Sequence, residues 1–238
     1  MSELSVGKNI FEGFGNIAMG KRQKKTSEAT RDAILQAAAK VVGRLGYAKA
    51  SIARIAEEAN VSHGLIYLYF VNQQDLFDRL LPYVGEAMLR YIRENAGRAS
   101  TVAERERLGL NANFEYLNRH PALHRILNEA AFFAPEAHQV YLKRMSAAYT
   151  RSLRRGHDAG EIEGYDADEL EILAVMMIGA REYLLERYMA HGGQIDPMPE
   201  KVRRTYLKAV ARSLGIDPNA VLSGQVKRDD VADRAERA

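Results

Sequence analysis

Residues 51–70 have the sequence SIARIAEEANVSHGLIYLYF and predict two short helices joined by a tight turn. Ser51 is suited to cap the first helix, whose apolar residues recur at three- and four-residue steps. Asn60 tolerates the left-handed backbone angles that end a helix, and Ser62 can cap the second helix. This arrangement is typical of a helix-turn-helix, which places its second helix in the major groove of DNA.

The second helix of this pair can bury Phe70 together with Leu65 or Ile66, and its remaining side chains then face outward. Capped helix pairs also occur in helical proteins that do not bind DNA, so the pattern alone leaves a purely structural interpretation open. A basic cluster upstream favours DNA, because the segment from Lys21 to Arg31 holds five basic residues and one acidic residue. Such a cluster beside a helix-turn-helix indicates contact with phosphates.

Small, β-branched and aromatic residues stand at fixed offsets in the pattern Ile55-Ala56-x-x-Ala59-x-Val61-Ser62-x-Gly64-x-x-Tyr67-x-Tyr69-Phe70-x-Asn72-x-x-x-Leu76. This pattern resembles the signature of the TetR (tetracycline-repressor-like) family of transcription regulators. The resemblance covers residues 28–77, and the rest of the chain is similar only in length and helical character. It implies a homodimer with an N-terminal three-helix DNA-binding domain and a C-terminal helical domain for ligand binding and dimerisation.

By position, the resemblance also implies which side chains meet double-stranded DNA: the DNA-facing set is His63, Gly64, Leu65, Tyr67, Leu68 and Tyr69, and the phosphate candidates are Ser51, Arg54 and Gln73. Ser62 is a further DNA-binding candidate, and the basic cluster adds Lys21, Arg22, Lys24 and Lys25, which can lie in the minor groove. Gly64 lets the backbone approach closely, and Tyr67 and Tyr69 can donate to phosphate or pack on a thymine methyl group. The chain departs from the family's pattern at Gln73, where a phosphate-binding lysine is usual, and at Ala53, where a long polar residue is common.

Composition excludes several other classes of protein. The chain of 238 residues is 47% hydrophobic and has a net charge of only +3, so it can bury a core and is not a general polycation. It has no cysteine, which excludes disulfides and thiolate metal sites. It also lacks an apolar run long enough to cross a membrane and an apolar signal core. We expect a soluble, cytoplasmic protein with no membrane contact, cofactor or metal.

Helical spacing of apolar residues continues along the chain and predicts an all-α fold. The predicted parts are a flexible basic N-terminal arm over residues 1–26, a helix-turn-helix domain over 27–71, a ligand-binding and dimerisation domain over 72–215 and a polar tail over 216–238. Pro82 lies inside the long helix that follows Asn72, where it predicts a kink. That kink can serve as a hinge between ligand pocket and DNA, or it can only bend the helix around the core.

A helix predicted from Asp166 to Ala190 is apolar on two sides, so one of its stripes needs a partner beyond its own core. The predicted dimer-interface residues are Ile172, Val175, Met176, Gly179, Tyr183, Tyr206 and Val210. The resembled family dimerises through its last two long helices, in a two-fold four-helix interface. A larger monomeric core is the alternative.

Aromatic and methionine residues of the second domain predict either an apolar ligand pocket or plain core. The ligand-binding candidates are Met88, Phe114, Leu117, Phe132, Phe133, Tyr141, Met145, Tyr149, Met177 and Arg181. Arg181 falls on an otherwise apolar stripe, so its cation needs a partner. That partner can be an internal carboxylate such as Glu129, or a carboxylate or phosphate of the ligand.

Together these features predict a ligand-responsive transcription regulator. We expect a repressor that binds a palindromic operator as a homodimer and is released by a small hydrophobic or amphipathic effector. A ligand-independent architectural DNA-binding protein and a helical enzyme are the alternatives. We predict no enzyme, because the chain has neither a Gly-x-Ser-x-Gly motif nor a phosphate-binding loop, and Pro121 separates His120 from the helix that carries His124.

Overall fold

The structure, a computed structural model, describes the backbone of residues 12–191 and 194–223 and the side chains of residues 27–190 and 195–223. Within these residues the secondary structure is helical apart from one short hairpin, and short turns and loops connect the elements. The helices are α1 Glu12–Leu45, α2 Ile52–Ala59, α3 His63–Tyr67, α4 Gln73–Ala96, α5 Val102–Arg119, α6 Ala122–Phe133, α7 Pro135–Asp158, α8 Ala167–Tyr188, α9 Glu200–Ser213 and α10 Pro218–Leu222. The all-α fold class is therefore confirmed.

The hairpin consists of strands β1 (Ala190–His191) and β2 (Gln194–Ile195), which pair antiparallel. No strand was predicted from the sequence, since two residues are too few to show an alternation of apolar and polar side chains. A single 3-10 turn, Tyr47–Lys49, joins α1 to α2.

The first three helices form the head of the molecule. The second half of α1 buries Ile34, Leu35, Ala38, Val41 and Val42, at the spacing that the sequence predicts. Helix α2 packs on α1, and α3 packs on α2 and adds Ile66 to the same core. Each large aliphatic side chain that is fully buried contributes about 1.5–3 kcal/mol to folding, so a few such residues suffice to hold a small head together.

Two predicted boundaries are wrong. Helix α1 begins at Glu12 and not near Ser27, so residues 12–26 of the predicted flexible arm belong to α1, while residues 1–11 lie outside the described part of the chain. The predicted polar tail contains α10, whose Val221 and Leu222 are buried against the body. Residues 224–238 of that tail are outside the described residues.

Helices α4 to α10 form the body, in which α4 packs on α5 and α7 and α8 packs on α7. Asn72 caps α4, because its side chain accepts a hydrogen bond from the Asp75 N–H at 2.8 Å. Asp166 and Glu169 form a capping box at the start of α8. Helix α4 continues through Pro82 without a break, and a kink or hinge there stays a prediction.

The head and the body meet where α1 packs on α6. A Cβ atom on Gly43 would lie 2.3 Å from Cβ of Ala122, so only glycine allows the two helices to approach this closely. No helix among the described residues is long and apolar enough to cross a membrane.

Replacing Gly43 by alanine should lower the free energy of unfolding by about 1–3 kcal/mol, because the added methyl group overpacks the α1–α6 contact. Gly109→Ala is the matched control, since a Cβ on Gly109 meets no described atom within 4 Å inside α5. That variant should be more stable by about 0.5–1 kcal/mol, because alanine loses less entropy in a helix. Urea unfolding followed by circular dichroism measures the free energy of unfolding of both variants. Equal changes in the two variants would contradict a special requirement for glycine at the α1–α6 contact.

Candidate DNA-reading surface and effector cavity

The helix-turn-helix has the caps that the sequence predicts. The Ser51 hydroxyl accepts from the Arg54 N–H at 3.4 Å, and the Ser62 hydroxyl accepts from the Leu65 N–H at 3.3 Å. Asn60 has φ 53° and ψ 47°, the left-handed conformation that ends α2 and turns the chain toward α3. The turn therefore sets the angle at which α3 leaves α2, and with it the face that α3 presents.

Helix α3 buries one side and exposes the other. Ile66 and Phe70 are buried in the head, so Ile66 and not Leu65 is the inward residue. Leu68 is 79% exposed and Tyr67 is 54% exposed, although both are large side chains that usually avoid water. The predicted DNA-contact residues divide accordingly: His63, Gly64, Tyr67 and Leu68 are exposed, while Leu65 and Tyr69 are half-buried.

Gly64 lies in the middle of this outward face. A Cβ atom added there meets no described atom within 4 Å, so packing inside the protomer does not require glycine. Glycine also weakens a helix relative to alanine by about 1 kcal/mol. Gly64 lowers helix stability and is not required by the core. Close approach of another molecule to the backbone at this point explains why glycine stands here.

The predicted phosphate contacts flank α3. Arg54 is exposed and donates from Nη1 to the carbonyl of Lys49, and Gln73 is exposed in the first turn of α4. The hydroxyls of Ser51 and Ser62 are engaged as helix caps, so their contact with phosphate would compete with capping. The backbone of residues 21–25 lies in α1, and the side chains of Lys21, Arg22, Lys24 and Lys25 lie outside the described residues.

A cavity of about 380 Å³, here called the main cavity, opens between α4, α5, α6, α7 and α8. Its size suits a small organic molecule. Six of the predicted ligand-binding residues line it: Met88, Phe114, Leu117, Tyr141, Met145 and Arg181.

Several polar residues of the main cavity were missed by the sequence analysis, namely Asn113, His124, Asn128, His138 and Glu182. On their helices they look like solvent-facing positions, and no local signal distinguishes a cavity from water. Burial lowers the pKa of His124 despite the nearby Glu186, and burial raises the pKa of Glu182. Both shifts favour the neutral form, which suits a weakly polar ligand.

Arg181 has an internal partner, but it is Glu106 and not Glu129. Its Nη2 lies 3.1 Å from Glu106 Oε2 and donates to the Tyr149 hydroxyl at 3.0 Å, while its Nε donates to the Tyr206 hydroxyl at 2.8 Å. The Tyr149 hydroxyl in turn donates to Glu106. The predicted ligand contacts Tyr149 and Met177 belong to this network, because Met177 Sδ lies 3.2 Å from the Tyr149 hydroxyl.

Burial of this network shifts the pKa values of its charged groups. Burial raises the pKa of Glu106, and Arg181 opposes that shift. Burial alone would lower the pKa of Arg181, but Tyr149, Tyr206 and Glu106 outweigh it and the pKa rises. Arg181 therefore stays a cation, and it depends on these three acceptors for stability.

Phe132 and Phe133 do not line the main cavity, contrary to prediction. Phe132 is 86% exposed at the end of α6, and the Phe133 ring stacks on Tyr47 of the head with ring centres 5.7 Å apart. The sequence pattern places both on a helix of the body but cannot show that this helix ends against the head.

Glu129, one turn earlier on α6, joins the body to the head. Its Oε2 accepts from the Tyr47 N–H at 2.7 Å, and its Oε1 accepts from Arg125 Nε at 2.8 Å. Arg125 Nη1 also donates to the carbonyl of Arg44 at 3.1 Å. We call this set of contacts the Glu129 clasp. Gly46, with φ +80°, brings the head backbone to within reach of it.

The outer face of α8 carries a stripe of exposed apolar residues. Met176 is 65% exposed and Tyr183 is 72% exposed, and Ile172, Val175 and Gly179 lie on the same face. Tyr206 and Val210, which were predicted to join this face, are buried within the protomer. Helix α9 uses them to pack on the body, since the Tyr206 hydroxyl bonds to Arg181 and to the Met177 carbonyl.

Comparison with known proteins agrees with this geometry. A sequence profile described as "Bacterial regulatory proteins, tetR family" matches residues 34–80, which span α2, α3 and parts of α1 and α4. The nucleoid occlusion factor SlmA of Vibrio atlanticus (strain LGP32) is 26% identical over 172 residues, covering 70% of this chain and 87% of that protein.

Two further relatives are named as regulators. The HTH-type transcriptional regulator TtgR of Pseudomonas putida is 26% identical over 192 residues, covering 75% of this chain and 89% of that protein. The solved structure of the fatty acid degradation regulator FadR from Bacillus halodurans is 25% identical with a TM-score of 0.58, covering 65% of this chain and 81% of that one.

Replacing Glu106 by leucine should lower the free energy of unfolding by about 3–5 kcal/mol, because Arg181 would remain buried without its carboxylate. The double variant Glu106→Leu with Arg181→Met should recover most of the loss, since it removes both charges. Urea unfolding of the two variants measures the difference. A double variant that is as unstable as the single one would show that packing, and not the unpaired cation, causes the loss.

Proposed function

This chain is a member of the tetR family of bacterial regulatory proteins, and we propose that it represses transcription by binding a palindromic operator as a homodimer until a small amphipathic effector releases it. The observation that carries this proposal is the outward face of α3, where large apolar side chains and an unforced glycine are exposed on a capped helix-turn-helix.

In this proposal α3 enters the major groove, with Gly64 against the DNA backbone and Tyr67, Leu68 and His63 toward the bases. Tyrosine can donate to phosphate, and leucine can pack on a thymine methyl group. None of these side chains is an arginine, asparagine or glutamine that reads a base with two hydrogen bonds. Arg54, Gln73 and the basic residues 21–25 would then supply much of the affinity through phosphates.

The exposed stripe on α8 supports the dimer. Apolar side chains of this size on one helix face are stabilised when a second copy covers them. A two-fold axis through this stripe would place two α3 helices on one DNA duplex, with half-sites about 34–36 Å apart or a multiple of that spacing. A palindromic operator follows from that symmetry.

The effector would act through α6. One side of this helix lines the main cavity with His124, Leu127 and Asn128, and the same helix holds the head through the Glu129 clasp. A ligand that fits the cavity only when α6 is displaced would favour a different position of the head and thus weaken DNA binding. The TtgR and FadR relatives are named as regulators, which supports a regulatory and not an enzymatic role.

A ligand-independent architectural DNA-binding protein is the second candidate. The SlmA relatives favour it, because they are named nucleoid occlusion factors. The main cavity favours the effector-controlled regulator, since a purely architectural protein has no need of one. Chromosome-wide mapping of binding sites separates the two: a regulator occupies few promoter sites, whereas an architectural protein occupies many sites along the chromosome.

Gly64→Leu should weaken operator binding by about tenfold or more, since the side chain would separate the backbone from the DNA. The fold should remain intact, because a Cβ at this position meets no described atom. The measurement is fluorescence anisotropy with the intergenic DNA upstream of the encoding gene, repeated across salt concentrations. Binding by the wild type should weaken steeply with salt.

Tyr67→Ala tests the same surface by removing an exposed side chain. Val140→Ala, on the exposed side of α7 and outside the head, serves as the control that should leave DNA binding unchanged. If the wild type binds neither this DNA nor any sequence from a random-sequence selection after bound ligand is stripped, DNA binding itself is refuted. Unaltered affinity of Gly64→Leu would instead place the DNA contact elsewhere on the head.

Met176→Glu should convert the dimer to a monomer, because a two-fold interface carries each substitution twice and the charges would be buried. Val140→Glu, on the exposed side of α7, is the control that should leave the dimer intact. Sedimentation equilibrium measures the association constant of each protein. A Met176→Glu protein that associates as tightly as the wild type would rule out the α8 stripe as the interface.

A further inference from the structure

A second cavity, of about 120 Å³, lies between α4, α5, α7 and α8. We call it the arginine cavity, because four arginines line it: Arg93, Arg105, Arg155 and Arg181. The only acidic side chain among its described lining residues is Glu106. The arginine cavity adjoins the main cavity, and Ile92, Met145, Ile178 and Arg181 line both.

The hydrogen-bond donors of these cations are not all satisfied among the described residues. Arg181 is paired with Glu106, and Arg93 is paired with Glu86 at 2.9 Å near the surface. Arg155 is exposed at the rim. Arg105 is the exceptional residue, because its side chain is only 10% exposed and yet its Nε and Nη2 atoms are buried without a hydrogen-bond partner among the described residues.

Arg105 forms an ion pair with Glu161, but no hydrogen bond joins the two side chains. Glu161 Oε1 lies 3.8 Å from Arg105 Nη2, beyond hydrogen-bonding distance, and Glu161 Oε2 accepts from the Val102 N–H at 2.7 Å. The remaining contact of the guanidinium is a long one, from Nη1 to the Ala99 carbonyl at 3.4 Å. Buried donors of a charged group that lack acceptors are costly, so this position favours an incoming anion.

We propose that the arginine cavity is the head-group subsite for an anionic amphiphile, with a carboxylate or phosphate on Arg105 and the apolar part of the molecule in the main cavity. This inference rests on the proposed function and specifies the chemical class of its effector. The planar guanidinium presents paired donors that match either anion. Arg93 and Arg155 at the rim add positive charge that attracts such a ligand.

Met145 is one of the four residues that line both cavities, so it lies between the two parts of the proposed ligand site. Methionine is unbranched and adapts its shape readily, so it can move aside for an alkyl or aryl chain. The main cavity beyond it is lined mostly by apolar side chains, including Met88, Phe114 and Leu117. An anionic head with an apolar body therefore matches the two cavities in both size and polarity.

The test uses three probes that share one alkyl chain: laurate, lauryl phosphate and lauryl alcohol. Isothermal titration calorimetry with the full chain, stripped of any bound ligand, measures their affinities for the wild type, Arg105→Gln and Arg107→Gln. Arg107 is the matched control, because its substitution removes the same charge from the same helix and it lines neither cavity. Thermal unfolding establishes that each variant is folded.

The expected result is that one or both anions bind the wild type at least about tenfold more tightly than the alcohol does, and that Arg105→Gln abolishes this preference while Arg107→Gln retains it. Comparison of laurate with lauryl phosphate then shows which head group the subsite prefers. The proposal is overturned if neither anion binds, if the alcohol binds equally well, or if the two arginine variants behave alike.

A separate measurement distinguishes this proposal from the proposed function. Operator binding is followed by fluorescence anisotropy while each probe is added. Anions that bind through Arg105 but leave the protein on DNA would support the subsite and contradict the effector role. Release from DNA by lauryl alcohol alone would support the effector role and contradict the subsite.

Discussion

The Glu129 carboxylate is the contact on which the rest of the structure depends, because it fixes the head to the body. It accepts the Tyr47 N–H and the Arg125 guanidinium, and Arg125 also bonds to the end of α1. Charge-assisted hydrogen bonds of this kind are shorter and stronger than those between neutral groups. Gly43 and Gly46 allow it, since side chains there would collide with Ala122 and with Glu129 itself.

The body contains two largely buried arginines, Arg181 and Arg105, which differ in how well their hydrogen-bond donors are satisfied. The Arg181–Glu106 pair with Tyr149 and Tyr206 links α5, α7, α8 and α9 through hydrogen bonds. Removing a charge from water is costly and is offset only when its partners are complete. Arg181 donates hydrogen bonds to Glu106, Tyr149 and Tyr206, which makes it part of the packing of the body. Arg105 has only a long ion pair with Glu161, and its Nε and Nη2 atoms lack a described hydrogen-bond acceptor, so Arg105 is the candidate for binding a ligand.

Much of the fold and of the candidate DNA-reading surface could be predicted from local sequence. The caps at Ser51, Ser62 and Asn72 and the left-handed Asn60 depend on residues within four positions of one another, so they are visible in the sequence. The ligand site could be predicted only in part, because helical spacing cannot show which helix faces which. Phe133 was therefore placed in the pocket although it stacks on the head.

The sequence by itself determined the all-α fold and the helix-turn-helix, because these follow from capping chemistry and helical periodicity. It left open whether Leu65 or Ile66 faces inward, and packing in the head decided for Ile66. Tertiary structure alone decided that Glu106 pairs with Arg181, that Glu129 holds Tyr47 and that Tyr206 is buried, since each contact joins residues distant in the chain. The physical reason is that helix packing, and not local propensity, decides which side chains meet and which donors remain without an acceptor.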